Sequence, residues 1–216
     1  MQPYFLAFAL FVMAGPVLAA DGVLDSSFGI FSTGRNLVAI DQGGTNADQL
    51  ADTLVAADGS IFLIGTSRDA ANITRYSISK LTRDGIRDNS FGTDGTVLSG
   101  FGGLIATRAK FDNAGNILIA GSSLASGVDR DFAVCRYNQQ GQPVIFSALL
   151  SPCAITPIDF AGGNLTDIAN DVIVNPNGTI VLAGVAGISA TRSRAATVRL
   201  LSTGLRDQNF GSDGKN

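Results

Sequence analysis

Aspartate supplies every acidic side chain of this 216-residue sequence, which contains no histidine and no glutamate. Two aspartate pairs recur in equivalent segments: Asp88 with Asp94, and Asp207 with Asp213. Their alternating carboxylates could ligate calcium, which takes roughly six to eight oxygens and commonly a bidentate glutamate. The alternative is that they cap turns, a routine role for aspartate in tight linkers. We interpret them as turn-capping residues and keep them as weak metal candidates.

Two further sets of charged residues recur with a fixed spacing. Lys80, Arg136 and Arg199 share one register. They could line a central anion-binding surface, or they could lie along a strand face with their charged ends in solvent, which we favour. Asp52 and Asp171 share another register, and a carboxylate pair could serve a hydrolase of the glycosidase type. A residue that recurs with a repeat usually serves the repeat, so we assign no catalytic residue.

The composition excludes several function classes. Because histidine is absent, Ser/His/Asp and Cys/His catalytic sites and imidazole metal sites are excluded. The net charge is −3 and the isoelectric point is near 4.8, whereas a nucleic-acid surface needs a basic footprint. We therefore predict no nucleic-acid partner, and no motif indicates a cofactor.

The sequence contains three copies of one hairpin pattern, in which a turn glycine is followed six residues later by a second glycine, and this second glycine is followed twenty residues later by a third. The glycines are Gly59, Gly65 and Gly85, then Gly115, Gly121 and Gly141, then Gly178, Gly184 and Gly204. Asn-Gly and Asp-Gly turns followed by apolar runs are typical of hairpins with buried strands. Each copy predicts four short strands, the number in a β-propeller blade. In the second copy we place the fourth strand at 144–146.

A linker motif, G-x-x-D-x-x-F-G-x-D-G, separates the copies and carries Phe91 and Phe210. A shorter form with Phe28 precedes the first copy, and a degenerate form keeps only Phe146. The linker and the D-G-x-I-x-x-x-G hairpin resemble the bacterial delta-60 repeat family over residues 22–214. The resemblance implies an exported, propeller-like protein of mostly unknown function, and it assigns no catalytic residues.

The predicted fold is all-β: a propeller-like array of three four-stranded units that follows an N-terminal signal peptide. Propellers usually close with roughly four to eight blades, so we expect an open arc or partial propeller. The predicted organisation is a signal peptide at 1–20, an N-terminal linker and first outer strand at 21–50, a first repeat at 51–106, a second repeat with its linker and inserted loop at 107–169, and a third repeat with the terminal linker at 170–216.

Two features indicate export. An apolar run over 5–12 is followed by Gly15-Pro16 and then by a short apolar stretch that ends at Ala19 and Ala20, a pattern that resembles a signal peptide with a cleavage site. A buried strand and a membrane anchor are the alternatives. Cys135 and Cys153 could close one disulfide in an oxidising compartment or remain independent thiols. We favour the disulfide because Cys153 lies in a proline-flanked loop.

The function predicted from these features is an exported, non-catalytic binding or scaffolding module, secreted or periplasmic, with no stable membrane span after signal cleavage. Its partner would be a protein or a glycan, and it could self-associate through exposed strand edges. A carboxylate-dependent hydrolase of the cell envelope is the rival prediction, and a fragment of a longer propeller with no independent role is the third. The strongest asymmetry among the repeats is the segment 147–166.

Export should remove the leader after Ala19 or Ala20, because the sequence becomes abruptly polar at Asp21. N-terminal sequencing of the protein recovered from the cell envelope or medium should therefore begin at Ala20 or Asp21. A mature protein that still begins with Met1 would contradict this prediction.

Overall fold

The computed structural model describes residues 22–40, 48–124, 129–156 and 165–216. The predicted leader at 1–20 and most of the later part of the segment 147–166 lie outside the described residues. Within the described ranges, no helix combines the length and apolar character required to cross a membrane.

The described residues form eleven strands in three antiparallel sheets. The first sheet contains β1 (Gln49–Val55), β2 (Ile61–Arg68), β3 (Thr74–Leu81) and β4 (Thr96–Leu98). The second sheet contains β5 (Leu104–Phe111), β6 (Ile117–Ser123), β7 (Asp131–Tyr137) and β8 (Cys153–Thr156). The third sheet contains β9 (Ile168–Val174), β10 (Ile180–Ser189) and β11 (Arg192–Leu200). Each sheet follows the order of the chain, and together they form an open array rather than a closed ring, which confirms the predicted fold class.

The fourth strand of the second sheet is not where the sequence predicts it. Residues 144–146 lie outside the strands, and β8 instead supplies the strand that pairs with β7. The chain turns back after Phe146, whose backbone N–H donates to the carbonyl of Ser151. Cys153 then lies directly opposite Cys135 and is bonded to it, which confirms the predicted disulfide. The degenerate linker is thus replaced by a strand from the inserted segment, cross-linked at its first residue.

The predicted four-strand unit is complete in the first two sheets, whereas the third sheet has three described strands. On the outer side of β11, Lys215 and Asn216 pair with Val198 and Thr197, and Arg206, Asp207 and Gly214 of the terminal linker pair with Leu200 and Arg199. Residues 22–40 form turns and irregular backbone, and the first strand begins at Gln49.

The sheets pack face to face, and strand alternation assigns each side chain to one of two cores. In β7, Ala133 and Cys135 face the core shared with the first sheet. Phe132 and Val134 face the core shared with the third sheet. Every residue of β6 is buried, as expected for a strand covered on both faces. The side chains of the apolar runs after the turn glycines therefore fill the cores between the stacked sheets.

The second glycine of each copy lies opposite a β-bulge in the first strand of its own sheet. The bulges follow Leu50, Ala106 and Ala169, which pair with Gly65, Gly121 and Gly184 respectively. A Cβ atom at these glycines would overlap a backbone carbonyl oxygen, which belongs to Ile105 in the second sheet. Only glycine leaves room for the bulged strand to cross at this distance.

Replacing Gly121 by alanine should lower the free energy of unfolding by roughly 2–3 kcal/mol, because the rigid backbone at Ile105 must shift. Gly100→Ala is the matched control, since a Cβ there meets nothing within 4 Å. Urea denaturation of both variants checks the difference. Equal stability of the two variants would contradict the close-approach argument.

Candidate functional site

The linker phenylalanines hold successive units together by packing on the third glycine of the following copy. The pairs are Phe28 with Gly85, Phe91 with Gly141, and Phe146 with Gly204. Phe91 is 3% exposed and Phe146 is fully buried, whereas Phe28 and Phe210 at the two ends of the array are half-buried. The linker motif is therefore a structural connection between units.

The recurring basic residues form ion pairs that fix the segment after each third strand. The ammonium of Lys80 lies 3.1 Å from the carboxylate of Asp88, and the guanidinium of Arg199 lies 2.8 Å from that of Asp207. Arg199 also stacks 4.7 Å from the Phe210 ring centroid. These two cations therefore pair with carboxylates of their own linkers.

In the second sheet, the recurring basic residue is Arg136, and it has different partners. Its degenerate linker offers no aspartate, and Arg136 lies 3.3 Å from Asp112 at the preceding hairpin. The Arg136 guanidinium also stacks 4.2 Å from the Phe146 ring centroid. Burial lowers the pKa of Arg136, and the neighbouring Asp112 carboxylate opposes that shift. The ion pair and the ring together hold the half-buried guanidinium.

The first aspartate of each linker closes a local turn. The Asp88 carboxylate accepts hydrogen bonds from the hydroxyl and the backbone N–H of Ser90. Asp25 forms the same two bonds with Ser27. The Ser90 hydroxyl bond, followed by the Lys80 ammonium, lowers the pKa of Asp88. The carboxylate is therefore held in its charged form by neighbours within its own linker.

The second aspartates lie where the linker backbone takes positive φ, at 47° for Asp94 and 57° for Asp213. The Asp213 carboxylate pairs with Arg206 at 2.7 Å, and the Asp94 carbonyl accepts a hydrogen bond from Arg87. Among the described residues, no cluster of three or more histidine, cysteine or acidic side chains is arranged to hold a metal ion.

Asp52 and Asp171, the candidate pair for a hydrolase, both lie beside one arginine. Arg108 occupies their register in the second sheet, and its guanidinium lies 3.7 Å from Asp52 and 3.4 Å from Asp171. Asp52 also accepts a hydrogen bond from the backbone N–H of Ala109. The three side chains follow the three bulges and link the first strands of adjacent sheets. Arg108 is the residue that sequence reasoning missed, although its spacing from the turn glycine matches that of both aspartates.

An apolar surface is exposed on the outer face of the first sheet. Leu50 and Val55 are 65% and 63% exposed. The residues that correspond to Leu50 in the other two sheets, Ala106 and Ala169, are buried against the preceding sheet. A cavity of about 530 Å³ lies between this face and the segment 36–40. We call Leu50, Val55 and Leu63 the first-sheet face. It is the surface that a preceding sheet covers elsewhere in the array.

Comparison with protein families supports the architecture. The model described as "Domain of unknown function (DUF5122) beta-propeller" matches residues 56–91 and 175–210. Both matches run from the turn before a buried hairpin strand to the linker phenylalanine, and thus cover the first and third copies. No curated protein matches the chain. The comparisons therefore support a β-propeller repeat and describe no activity for it.

Asp88→Asn should destabilise the protein at neutral pH, and the effect should disappear in acid. Because the folded state lowers the Asp88 pKa, its stabilisation is present above the unfolded value of about 3.9 and is lost as pH falls through the folded value. We expect a loss of roughly 1 kcal/mol in unfolding free energy at about pH 7. Denaturation curves of variant and wild type should converge once the pH has fallen below the folded value.

Asp84→Asn is the control for that experiment, because Asp84 is exposed and lies 4.0 Å from Arg83. Its denaturation curve should match the wild type at every pH. A difference between Asp88→Asn and wild type that stays constant down to low pH would show that the Ser90 and Lys80 contacts do not act through the carboxylate charge.

Proposed function

We propose that the chain is an exported, non-catalytic binding or scaffolding module, secreted or periplasmic, that recognises a protein or glycan through the first-sheet face. A second copy of the chain is included among the protein partners. The observation that carries the proposal is the exposure of Leu50 and Val55 at positions that are covered in the rest of the array. The β-propeller match supports a repeat module.

The charged residues that recur with the repeat lie in ion pairs, which supports a role that does not use them as catalytic groups. Lys80 and Arg199 are paired with their own linker aspartates, and Asp52 and Asp171 are paired with Arg108. Each of these groups stabilises a repeat or the contact between two repeats. None of these recurring groups is left over for recognition, so the surface we propose for it is the apolar first-sheet face.

The disulfide supports the compartment. Cys135 and Cys153 are bonded, and such bonds persist mainly in oxidising environments outside the cytosol. The predicted leader with a cleavage site at Ala19 or Ala20 agrees with that environment. Both features favour an envelope or extracellular location for the module.

Val55→Asp should abolish binding to whatever partner the mature chain retains, because a charge would be buried at the centre of an apolar contact. Binding of the wild type and of the Val55→Asp variant is measured in parallel on a glycan array and by affinity capture from the producing organism's envelope fraction. Sedimentation velocity over a range of concentrations tests association with a second copy in the same samples.

Leu205→Asp is the matched control, since Leu205 is 47% exposed in the terminal linker, far along the chain from the first sheet. It should leave binding unchanged. Two results would overturn the proposal: equal binding by the Val55→Asp variant, or turnover of an arrayed glycan that is lost in Asp52→Asn. The second result would favour the hydrolase.

A further inference from the structure

The β2–β3 hairpin of the first sheet and the β10–β11 hairpin of the third sheet share one register but end differently. Gly187 pairs with Ser193 at the position where Arg68 pairs with Thr74 in the first sheet. Beyond these pairs, each hairpin closes with the same number of residues. We call these closing segments the first-sheet tip and the third-sheet tip, residues 69–73 and 188–192.

The first-sheet tip is closed by its own carboxylate. Asp69 accepts hydrogen bonds from the backbone N–H groups of Ala71 and Ile73, and from the guanidinium of Arg75. The residue at the position of Asp69 in the third-sheet tip is Ile188, which cannot accept these bonds. The third-sheet tip therefore differs in chemistry from its counterpart, although the two hairpins share their register.

A cavity of about 430 Å³ lies at the third-sheet tip, beside the residues that precede β9. Its polar lining consists of four hydroxyl side chains and one guanidinium, which belong to Thr166, Ser189, Thr191, Ser193 and Arg192. No acidic side chain is among the described residues that line it. Each of the five polar side chains can donate a hydrogen bond, and the lining carries one positive charge. Such a lining favours a ligand with anionic oxygens.

The polar groups of this cavity are not used up within the protein. Within the described ranges, Arg192 forms no ion pair with a carboxylate. The hydroxyls of Thr166, Thr191 and Ser193 donate to no other group of the described residues. The nearest acid in the chain, Asp167, is 2% exposed, and its carboxylate accepts a hydrogen bond from a backbone N–H. The donors of the lining are therefore available to a ligand.

A second cation lies next to this cavity, at the junction with the second sheet. The carbonyl of Arg130 accepts a hydrogen bond from the backbone N–H of Asp167, which directly follows the lining residue Thr166. The Nη1 atom of Arg130 is buried and has no hydrogen-bond partner in the described part of the chain. Leaving a buried charged donor without an acceptor is costly. An anionic ligand at this corner is the chemistry that supplies an acceptor.

The exposure of a hairpin tip does not depend on which sheets lie beside it. The second sheet packs against the first sheet, yet Ala70, Ala71 and Asn72 of the first-sheet tip are exposed. Thr191 and Arg192 of the third-sheet tip are exposed in the same way. The residues that form the cavity all come from the segments 165–166 and 187–193. The cavity is therefore a local property of this hairpin and of the residues before β9.

We propose that the third-sheet tip binds an acidic sugar residue of a glycan. Arg192 would hold the sugar carboxylate through paired, charge-assisted hydrogen bonds. The hydroxyls of Ser189, Thr191 and Ser193 would bind the ring hydroxyls, since a hydroxyl can both donate and accept. The cavity volume lies within the range of roughly 300–1,000 Å³ that is usual for small-ligand sites. The inference goes beyond the proposed function, because it names a second surface that does not need the first-sheet face.

The test uses a trimer of galacturonic acid and its methyl ester, which has the same ring hydroxyls but no carboxylate charge. Isothermal titration calorimetry with the full chain should show saturable binding of the acid that weakens as salt rises. The methyl ester should bind at least about tenfold more weakly, because it loses the charge-assisted bonds to the guanidinium. Inorganic phosphate should also bind at least about tenfold more weakly than the acid, because it offers the hydroxyl side chains no sugar ring.

Two variants separate the charge from the hydroxyls. Arg192→Gln should fold normally, because Arg192 is exposed, and it should lower the affinity for the acid at least about tenfold while leaving the affinity for the ester unchanged. Thr191→Val removes one hydroxyl and should weaken both ligands by about threefold or more. Arg83→Gln is the matched control, since its side chain is 78% exposed in a turn of the first sheet. It should change neither affinity.

No saturable binding of the acid, or equal binding of acid and ester, would overturn the proposal, as would full binding by Arg192→Gln or an equal loss in Arg83→Gln. Equal affinity for phosphate and the trimer would overturn the assignment to a sugar. The outcome is independent of the first-sheet face, because Val55→Asp should bind the trimer with unchanged affinity. Loss of partner capture in Val55→Asp with intact trimer binding would support both proposals, whereas intact capture with intact trimer binding would overturn only the first-sheet face.

Discussion

The stacking of these sheets depends on one recurring contact, an aromatic ring that lies where a glycine of the next unit has no side chain. Phe91 occupies the space in front of Gly141, and Phe146 does the same at Gly204. Any Cβ atom at the glycine would collide with the ring. The contact lets the linker connect two sheets and seal the core between them, so the linker motif and the glycine spacing are two halves of one interaction.

Charged residues also connect neighbouring sheets, at the first strand of each sheet. A bulge bends the first strand of each sheet, and the residue after it is Asp52, Arg108 or Asp171. Because Arg108 carries the opposite charge to the two aspartates, its guanidinium pairs with a carboxylate from each neighbouring sheet. What resembles a pair of catalytic acids in the sequence is, in the fold, an ionic connection across three units.

Solvent exposure at the two ends follows from the same geometry. An internal sheet such as the second is covered on both faces, whereas the first sheet has no sheet before it among the described residues, and its Leu50 and Val55 stay exposed. On the third sheet, Arg192 and Arg194 at the start of β11 are exposed.

The sequence alone determined the all-β class, the three copies, the hairpin turns and the disulfide, because each depends on local spacing: Asn-Gly or Asp-Gly before an apolar run, or two cysteines in one repeat. It did not determine the partners of long-range contacts. The strand predicted at 144–146 gives way to β8, since register across a degenerate linker is decided by which segment can pair with β7 and place Cys153 opposite Cys135. Likewise only the packed sheets bring Arg108 to both aspartates, because the distance between repeats in space is not encoded in any one repeat.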